Sequence, residues 1–518
     1  MFEEKKLVQS EKPKEKIFAE QNDRNKLEEK REKAISFPKV EIPEKLKNGF
    51  PEGYKPWLSG WSFTDKELEE KTEITNPDGT KEEIFKMLTL DVSISKAAWA
   101  EEMNAIEDPE ERNKKIKESY PCPNKCASCY ERNADSDNKI VTWEQNVKII
   151  DKACELGLKT VKFLGPGEVI NDPDLFKYLD YFEKKGLNFL IFTKPAILMD
   201  DKETQKVFNM SSDEFCKKIA NYKCVRLLMN FMSADPETEI SMVSPEEESF
   251  RESFVKNRNK AVEVFTKLGI NDDPFNQRLA LICAPVLKNK MVNVRDENGL
   301  PIVDDNKKPL KKFQKGNIDE AFNIFKWGTE RNIPVVIAPT MVSGGCAKSQ
   351  EEVRDENFKE VDLVGLWADI YDWLDEKGIK HLEELEQEGV APYAGFSCDQ
   401  FISGMFIRKD GRIQACPGNE DEPFRYDKNI AKNIDNLPLI WKNNMGYKWR
   451  EKIVKGIKNG LRKREVGCPA KQSGIAIDEK TGKPLIKEGL GSFPEDFNRK
   501  VLRMAYNLRD RRLINESI

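Results

Sequence analysis

A single histidine, His381, stands among the 518 residues. That scarcity excludes histidine-rich zinc or non-haem iron chemistry and argues against a Ser-His-Asp hydrolase. No apolar run approaches the roughly 18 residues that a membrane-spanning helix needs. The first residues, Met1 to Lys16, lack the apolar core of a secretory signal. Neither sign of charge dominates: 86 Lys and Arg face 91 Asp and Glu, a formal charge of −5, which excludes an overall cation suited to nucleic acid. Without an export signal, the eleven cysteines read as ligands or core residues of a cytoplasmic protein rather than as disulfides. No internal repeat of solenoid period is present.

What is present falls into blocks. Residues 1–35 are mostly Lys, Glu, Asn and Gln, too polar to offset their ordering entropy, and are expected to be a mobile extension. Residues 36–85 carry prolines and the aromatics Phe37, Phe50, Tyr54, Trp57 and Trp61, the composition of an irregular N-terminal wrap. Asn76-Pro77-Asp78-Gly79 is a turn signal leading to strand character from Ile84 to Val92. Helical and strand patterns then alternate. Helices are expected at Thr142–Leu156, Asp174–Lys185, Ser212–Asn221, Glu246–Leu268 and Ile318–Arg331. Strands are expected at Thr160–Leu164, Asn188–Phe192, Val225–Met229, Arg278–Pro285 and Pro334–Pro339. Such alternation over 86–340 makes an α/β architecture of about six parallel βα units. A polar hairpin insertion is expected across Val292 to Val303.

Beyond it, 341–394 reads as a helical linker, with helices at Val361–Leu374 and His381–Glu388. Residues 395–470 form a small α+β unit around a hairpin at Phe401–Ile413, turning at Lys409-Asp410-Gly411. Residues 471–518 read as a further hairpin, Ile475–Ile486, and a helix.

Cys122, Cys126 and Cys129 have C-x3-C-x2-C spacing. Three thiolates so close converge only if the chain wraps around something. An iron–sulfur cluster needs that convergence and would keep one iron without a protein ligand, open to an amino-acid-like cofactor. The alternative is a structural zinc site completed by a distant cysteine. The triplet follows the first strand of the parallel series, and such sheets bind ligands at the C-terminal ends of their strands.

In this order the chain resembles the radical SAM superfamily. The second strand closes on Phe163-Leu164-Gly165-Pro166-Gly167-Glu168, similar to that family's Gly-Gly-Glu-like motif. The resemblance covers about 86–340 and implies a partial (β/α)6 TIM-like barrel. It also implies a 4Fe-4S cluster on Cys122, Cys126 and Cys129 whose open iron chelates S-adenosylmethionine. Gly165, Gly167 and Glu168 would receive the cofactor's ammonium, and the backbone at Ser128 would meet its adenine. Family members commonly carry an aromatic at that last position; here the aromatic follows, as Tyr130. Thr193 sits where the family's third strand commonly ends in a Thr-Asn-Gly-like turn, Asn230 and Ser233 occupy the region that often meets the ribose or the methionine carboxylate, and Arg251 or Arg258 would pair with that carboxylate.

Cys398, Gly411 and Cys416 make C-x12-G-x4-C, and Cys468 follows about fifty residues later. This resembles the SPASM or twitch auxiliary-cluster extension. The C-x2-C-x5-C-x3-C run of the two-cluster form is missing, so one auxiliary 4Fe-4S cluster on Cys398, Cys416 and Cys468 is implied. Cys346 would complete it, or its iron would be open to substrate. Cys154, Cys216, Cys224 and Cys283 fall on helix or strand faces as inert core thiols.

The resemblance implies reductive cleavage of S-adenosylmethionine to a 5′-deoxyadenosyl radical and hydrogen abstraction from a peptide or small metabolite. A one-electron donor such as flavodoxin or ferredoxin would be the redox partner, in an anaerobic or strongly reducing cell. RNA as substrate, or a non-catalytic zinc- or cluster-stabilised scaffold, are the alternatives. Lysine stretches at Lys288–Lys290 and Lys307–Lys312 read as solvated faces, and neither a membrane nor a nucleic-acid partner is expected.

Overall fold

A computed structural model describes residues 58–378 and 400–458, apart from 62, 123, 125–128, 130, 132–135, 137, 195–196, 234–238, 240–247, 274–275, 287–289, 294–307, 309, 315–316, 340–359, 418–424 and 427–428. The expected extension 1–35, residues 36–57 of the wrap, the helix at His381–Glu388 and everything after 458 lie outside the described residues.

The strands are β1 (Lys71–Thr75), β2 (Lys81–Phe85), β3 (Thr89–Val92), β4 (Thr160–Phe163), β5 (Asn188–Thr193), β6 (Val225–Asn230) and β7 (Leu279–Val286). They are followed by β8 (Lys290–Asn293), β9 (Lys311–Gln314), β10 (Val335–Pro339), β11 (Gly404–Ile407), β12 (Ile413–Gln414) and β13 (Arg425–Tyr426). A nine-stranded sheet has the order β10-β7-β6-β5-β4-β3-β11-β12-β13. Its strands from β10 to β11 run parallel, and the last two are antiparallel.

From β3 to β10 the spatial order follows the chain without reversal. Right-handed crossovers then put the connecting helices that pack on the sheet on the same face. Phe182, on helix Leu175–Lys185, stacks on Phe189 of β5 with ring centroids 4.2 Å apart, which marks that outer face. A mostly parallel α/β sheet coated on one side is consistent with a partial TIM-like barrel.

The opposite, inner face is closed at the strands' N-terminal end by residues 58–61. Ser59 N–H donates to the Gln277 carbonyl at 2.8 Å. Gly60 has φ +81°, and a Cβ there would lie 2.7 Å from Asn188 and Thr160 side-chain atoms, at the starts of β5 and β4. Leu58 and Trp61 pack with Leu190, Leu228 and Ala280, and the Trp61 ring lies 5.2 Å from that of Phe192. Of the aromatic wrap, Trp61 is thus an apolar floor.

Most expected helices and strands hold to within about two residues at their ends. Thr142, for example, caps helix Trp143–Glu155 through a reciprocal box with Gln145. Several expectations need correction. The single strand expected at Ile84–Val92 is two, because Lys86 N–H bonds Glu70 whereas Leu88 N–H bonds Ser403, pulling the chain to different partners. The stretch Ser93–Tyr120 holds two helices, Ala97–Ala105 and Pro109–Glu118, the second capped by Asp108 onto Glu111 N. Helix Asp201–Phe208 was likewise not expected; Asp200 caps it. In the insertion, β8 pairs antiparallel with β9, while Ile302-Val303, where the return strand was expected, lies outside the described residues.

The expected hairpin at 401–413 joins the main sheet. β11 runs parallel to β3, with Gly404 opposite Thr89, where any side chain would run into the Thr89 carbonyl. Helices Leu437–Asn443 and Met445–Lys458 then brace the β1–β2 hairpin. Trp441 Nε1 donates to Phe85 O at 2.8 Å, and fully buried Arg450 donates through Nε to Leu68 O at 2.7 Å. Among the described residues, no helix is long and apolar enough to cross a membrane.

Candidate functional site

The turn after β4 is locked onto the root of the cysteine loop. Gly167 has φ +91°, and a Cβ there would sit 2.9 Å from the Pro121 carbonyl oxygen, so glycine is required twice over. Its N–H donates to the buried Tyr120 hydroxyl at 3.3 Å. Gly165, at φ +118°, lies against Glu131, just past Cys129; its Cβ would approach Glu131 Cγ to 3.3 Å. Both ends of the cysteine loop therefore rest on Gly165–Gly167.

Glu168 follows, 5% exposed. Its Oε2 accepts from Lys194 N–H at 2.9 Å and from Asn124 Nδ2 at 3.4 Å. Its Oε1 is buried with no hydrogen bond. Burial pushes this carboxyl up to about 7, against the lowering effect of Thr193 and the Lys194 backbone. Thr193 ends β5 and is buried.

One strand further, Asn230 ends β6, and Ser233 is fully buried. Glu239 Oε2 accepts from Met232 N–H at 2.8 Å and Ser233 N–H at 2.7 Å. Arg258, 0% exposed on helix Glu248–Lys267, pairs with Glu239 at 2.7 Å and donates to Ser233 O at 3.1 Å. Phe231 covers its guanidinium at 3.7 Å. The expected alternative of Arg258 as a partner for a ligand carboxylate is therefore corrected: its charge is committed to Glu239. Lys194 Nζ approaches the other Glu239 oxygen at 3.9 Å, which links the β5 and β6 ends.

The structure brings together Cys122, Gly165, Gly167, Glu168 and Thr193 through this chain of contacts. Cys126 and Ser128, and in the second set Cys346, Cys398 and Cys468, lie outside the described residues, as does the Arg251 side chain. Cys122 and Cys129 are half-buried, and Cys416 is buried just beyond β12. Among the described residues no three His, Cys, Asp or Glu side chains are grouped to hold a metal.

Sequence reasoning missed Tyr120, Glu131, Lys194, Glu239 and Lys409. Lys409 Nζ reaches Glu131 Oε2 at 3.1 Å and Glu131 O at 3.2 Å, and both side chains are buried. The hairpin turn thus clamps the end of the cysteine loop.

It also missed two charges on the inner face, Asp91 and Lys162. A charged residue inside an apolar strand was the available signal. Burial pushes Asp91 up to about 7, with Lys162 opposing. A carboxyl raised above its ordinary 3.8 favours the fold fully below that value and loses this contribution as pH rises towards 7. Asp91→Asn should therefore gain stability relative to the parent between pH 5 and pH 8, by on the order of a few kcal/mol in urea melts. A pH-independent difference would contradict this assignment.

Residues 119–282 match the family model for the Radical SAM superfamily, a span running from the residue before Tyr120 to the middle of β7. The chain carries a radical SAM domain, and the protein is an enzyme. No match is found among curated proteins. Among solved structures, anSMEcpe with bound AdoMet is 12% identical, with 83% of this chain and 98% of that chain covered and a TM-score of 0.44. Streptococcus suis SuiB bound to precursor peptide SuiA is 15% identical over 70% of this chain and 67% of that one, with a TM-score of 0.40. Methylornithine synthase is 12% identical over 70% and 97%, with a TM-score of 0.30.

Proposed function

We propose that the protein is a radical SAM oxidoreductase acting on a peptide or small metabolite, with a 4Fe-4S cluster on Cys122, Cys126 and Cys129 and an auxiliary 4Fe-4S cluster on Cys398, Cys416 and Cys468. The observation that carries this is the Gly165–Glu168 turn seated on both ends of the cysteine loop. The residues present fit the group. Thiols are the donors such a cluster takes, Gly167 admits close backbone approach, and the orphaned Glu168 Oε1 awaits a donor.

When bound, the cluster and S-adenosylmethionine would supply one-electron cleavage of the sulfonium C–S bond, with release of methionine, and the hydrogen abstraction from substrate that follows from it. Glu168 would accept the cofactor's ammonium, while Lys194 N–H holds its other oxygen in place. Thr193, at the end of β5, would border the cofactor, Asn230 and Ser233 would meet its ribose and carboxylate side, and Arg251 would supply the carboxylate's cation. The backbone at Ser128 would meet the adenine. The Trp61 floor keeps water from the inner face. Cys416 is buried just beyond the sheet-joined hairpin, a position that suits a ligand of the proposed second set. Cys346 or the substrate completes that set, and a flavodoxin- or ferredoxin-type donor delivers the electron.

Anaerobic protein with reconstituted clusters, reduced in the presence of S-adenosylmethionine, should form 5′-deoxyadenosine. A wild type no better than Cys126→Ala after confirmed reconstitution would sink the proposal. A hydrogen bond to a charged group contributes about 1.5–3 kcal/mol, so Glu168→Gln should weaken S-adenosylmethionine binding roughly tenfold to a hundredfold. Calorimetry on the clustered protein measures it.

A further inference from the structure

Asp91 on β3 and Lys162 on β4 are register partners, so both side chains leave the sheet on the same face. That face is the inner one, because Lys162 Nζ lies 5.5 Å from the Trp61 ring centroid. Both residues are 0% exposed. Neither Asp91 oxygen nor Lys162 Nζ makes any hydrogen bond.

Two further orphans share the face. Phe406 of β11 is opposite Asp91 and also opposite Gln414 of β12, which puts Gln414 in the same row. Ser93 follows Asp91 by two residues and so faces the same way. Gln414 and Ser93 are each 1% exposed, and Gln414 Nε2 and Ser93 Oγ are unpartnered. Beside this row lies the apolar cluster of Trp61, Leu58, Leu190, Leu228 and Ala280, in which Leu190 is the register partner of Lys162. Above it, at the strands' C-terminal ends, lie Gly165–Glu168 and the cysteine loop.

A buried carboxylate and a buried ammonium without hydrogen bonds each carry a penalty of several kcal/mol. A sequence that only needed a core would place apolar residues here, as it does in Leu190 and Leu228. A ligand with complementary groups removes the penalty. Its ammonium would meet Asp91 and its carboxylate would meet Lys162, Ser93 would donate to or accept from either, and Gln414, three strands from Lys162 across β3 and β11, would meet a polar group further along the ligand. Adjacent strands are about 4.8 Å apart, so the ligand's opposite charges must be a few ångströms apart. An α-amino-acid head has that spacing, whereas the end of a peptide carries just one of the two charges.

We propose that Asp91 and Lys162, with Ser93 and Gln414, bind the substrate, and that the substrate carries a free α-amino-acid head group. This deepens the proposed function and rests on it. The carboxyl that burial holds near neutrality would be drawn to its ionised form by the incoming ammonium.

The test uses the clustered holoenzyme with S-adenosylmethionine bound. Free proteinogenic L-amino acids, and the same compounds as Nα-acetyl and C-terminal amide derivatives, are compared by calorimetry and thermal shift. At least one free amino acid should bind, with both derivatives roughly tenfold weaker or worse. Asp91→Asn and Lys162→Met should each weaken that binding similarly, with S-adenosylmethionine affinity unchanged. Should both variants fail to fold, the derivatives still decide the matter, since they delete the same two charges from the ligand. No binding by any free amino acid, equal binding by the derivatives, or variants that bind like the parent would each overturn the proposal. Wild-type 5′-deoxyadenosine formation is read separately. If it is present while no amino acid binds, this assignment alone fails; if it is absent, the broader reading fails.

Discussion

Replacing Cys122, Cys126 or Cys129 with alanine should reduce the iron held by this loop from about four atoms per chain to almost none. 5′-Deoxyadenosine formation should fall to the level seen without protein. A cube held by three thiolates loses a whole corner when one goes, and the remaining pair cannot stop solvent and chelators from stripping it. The control lies in the same chain. Burial raises the Cys154 thiol and pushes Cys216 up to about 12, and it raises Cys224 and Cys283 further. The thiolate is the metal-binding form, so serine at any of these four should leave iron content and the sulfur-to-iron charge-transfer absorbance intact. Iron analysis of the seven variants side by side gives the answer. Loss of iron in the control set equal to that in the triplet would show that fold disruption, and not ligation, is being measured.

The parallel units were legible because each strand is a short apolar run bounded by helical periodicity. Caps such as Thr142 with Gln145 and Ser211 with Glu214 mark the helix starts. The helices at Ala97–Ala105 and Pro109–Glu118 were missed although Asp108-Pro109 is a strong start signal. The second is mostly charged, burying just Arg112 and Ile116, so its periodicity is faint. The break at Lys86–Leu88 could not be read either. Nothing local ends the run; Ser403, more than three hundred residues away, pulls the chain across.

The candidate site divides the same way. Gly165, Gly167 and Glu168 could be found from their order after the cysteine triplet. What the glycines make room for, Pro121 on one side and Glu131 on the other, is a matter of tertiary contact. Arg258 had the right charge on the right helix for a ligand carboxylate. Glu239, in the connection after β6, takes that charge instead. The inner-face row is spread over positions 91, 93, 162 and 414, and only strand register assembles it.

Lys409→Met should destabilise the protein by about 3–5 kcal/mol, as breaking a buried ion pair from one side does. Lys409 is 0% exposed and Glu131 2% exposed, so the carboxylate left behind has no route to water. The loss reaches further than the pair. Lys409 O accepts from Val141 N–H at 2.7 Å, and the Lys409 ammonium also binds the Glu131 carbonyl, so this one residue holds the hairpin turn to the end of the cysteine loop. Glu131 in turn packs against Gly165. Adding Glu131→Leu to Lys409→Met removes the orphaned charge, and a buried pair replaced by apolar groups of similar volume is often neutral in stability. Most of the lost stability should therefore return in the double variant. The hydrogen bond to the Glu131 carbonyl does not return, which leaves a deficit of roughly 1 kcal/mol and a looser loop end. The double variant should then melt near the parent yet lose bound iron faster to a chelator. Urea melts and timed chelation separate the two effects. A single variant as stable as the parent would show that the clamp contributes little, and a double variant with parental iron retention would place the loop's support elsewhere.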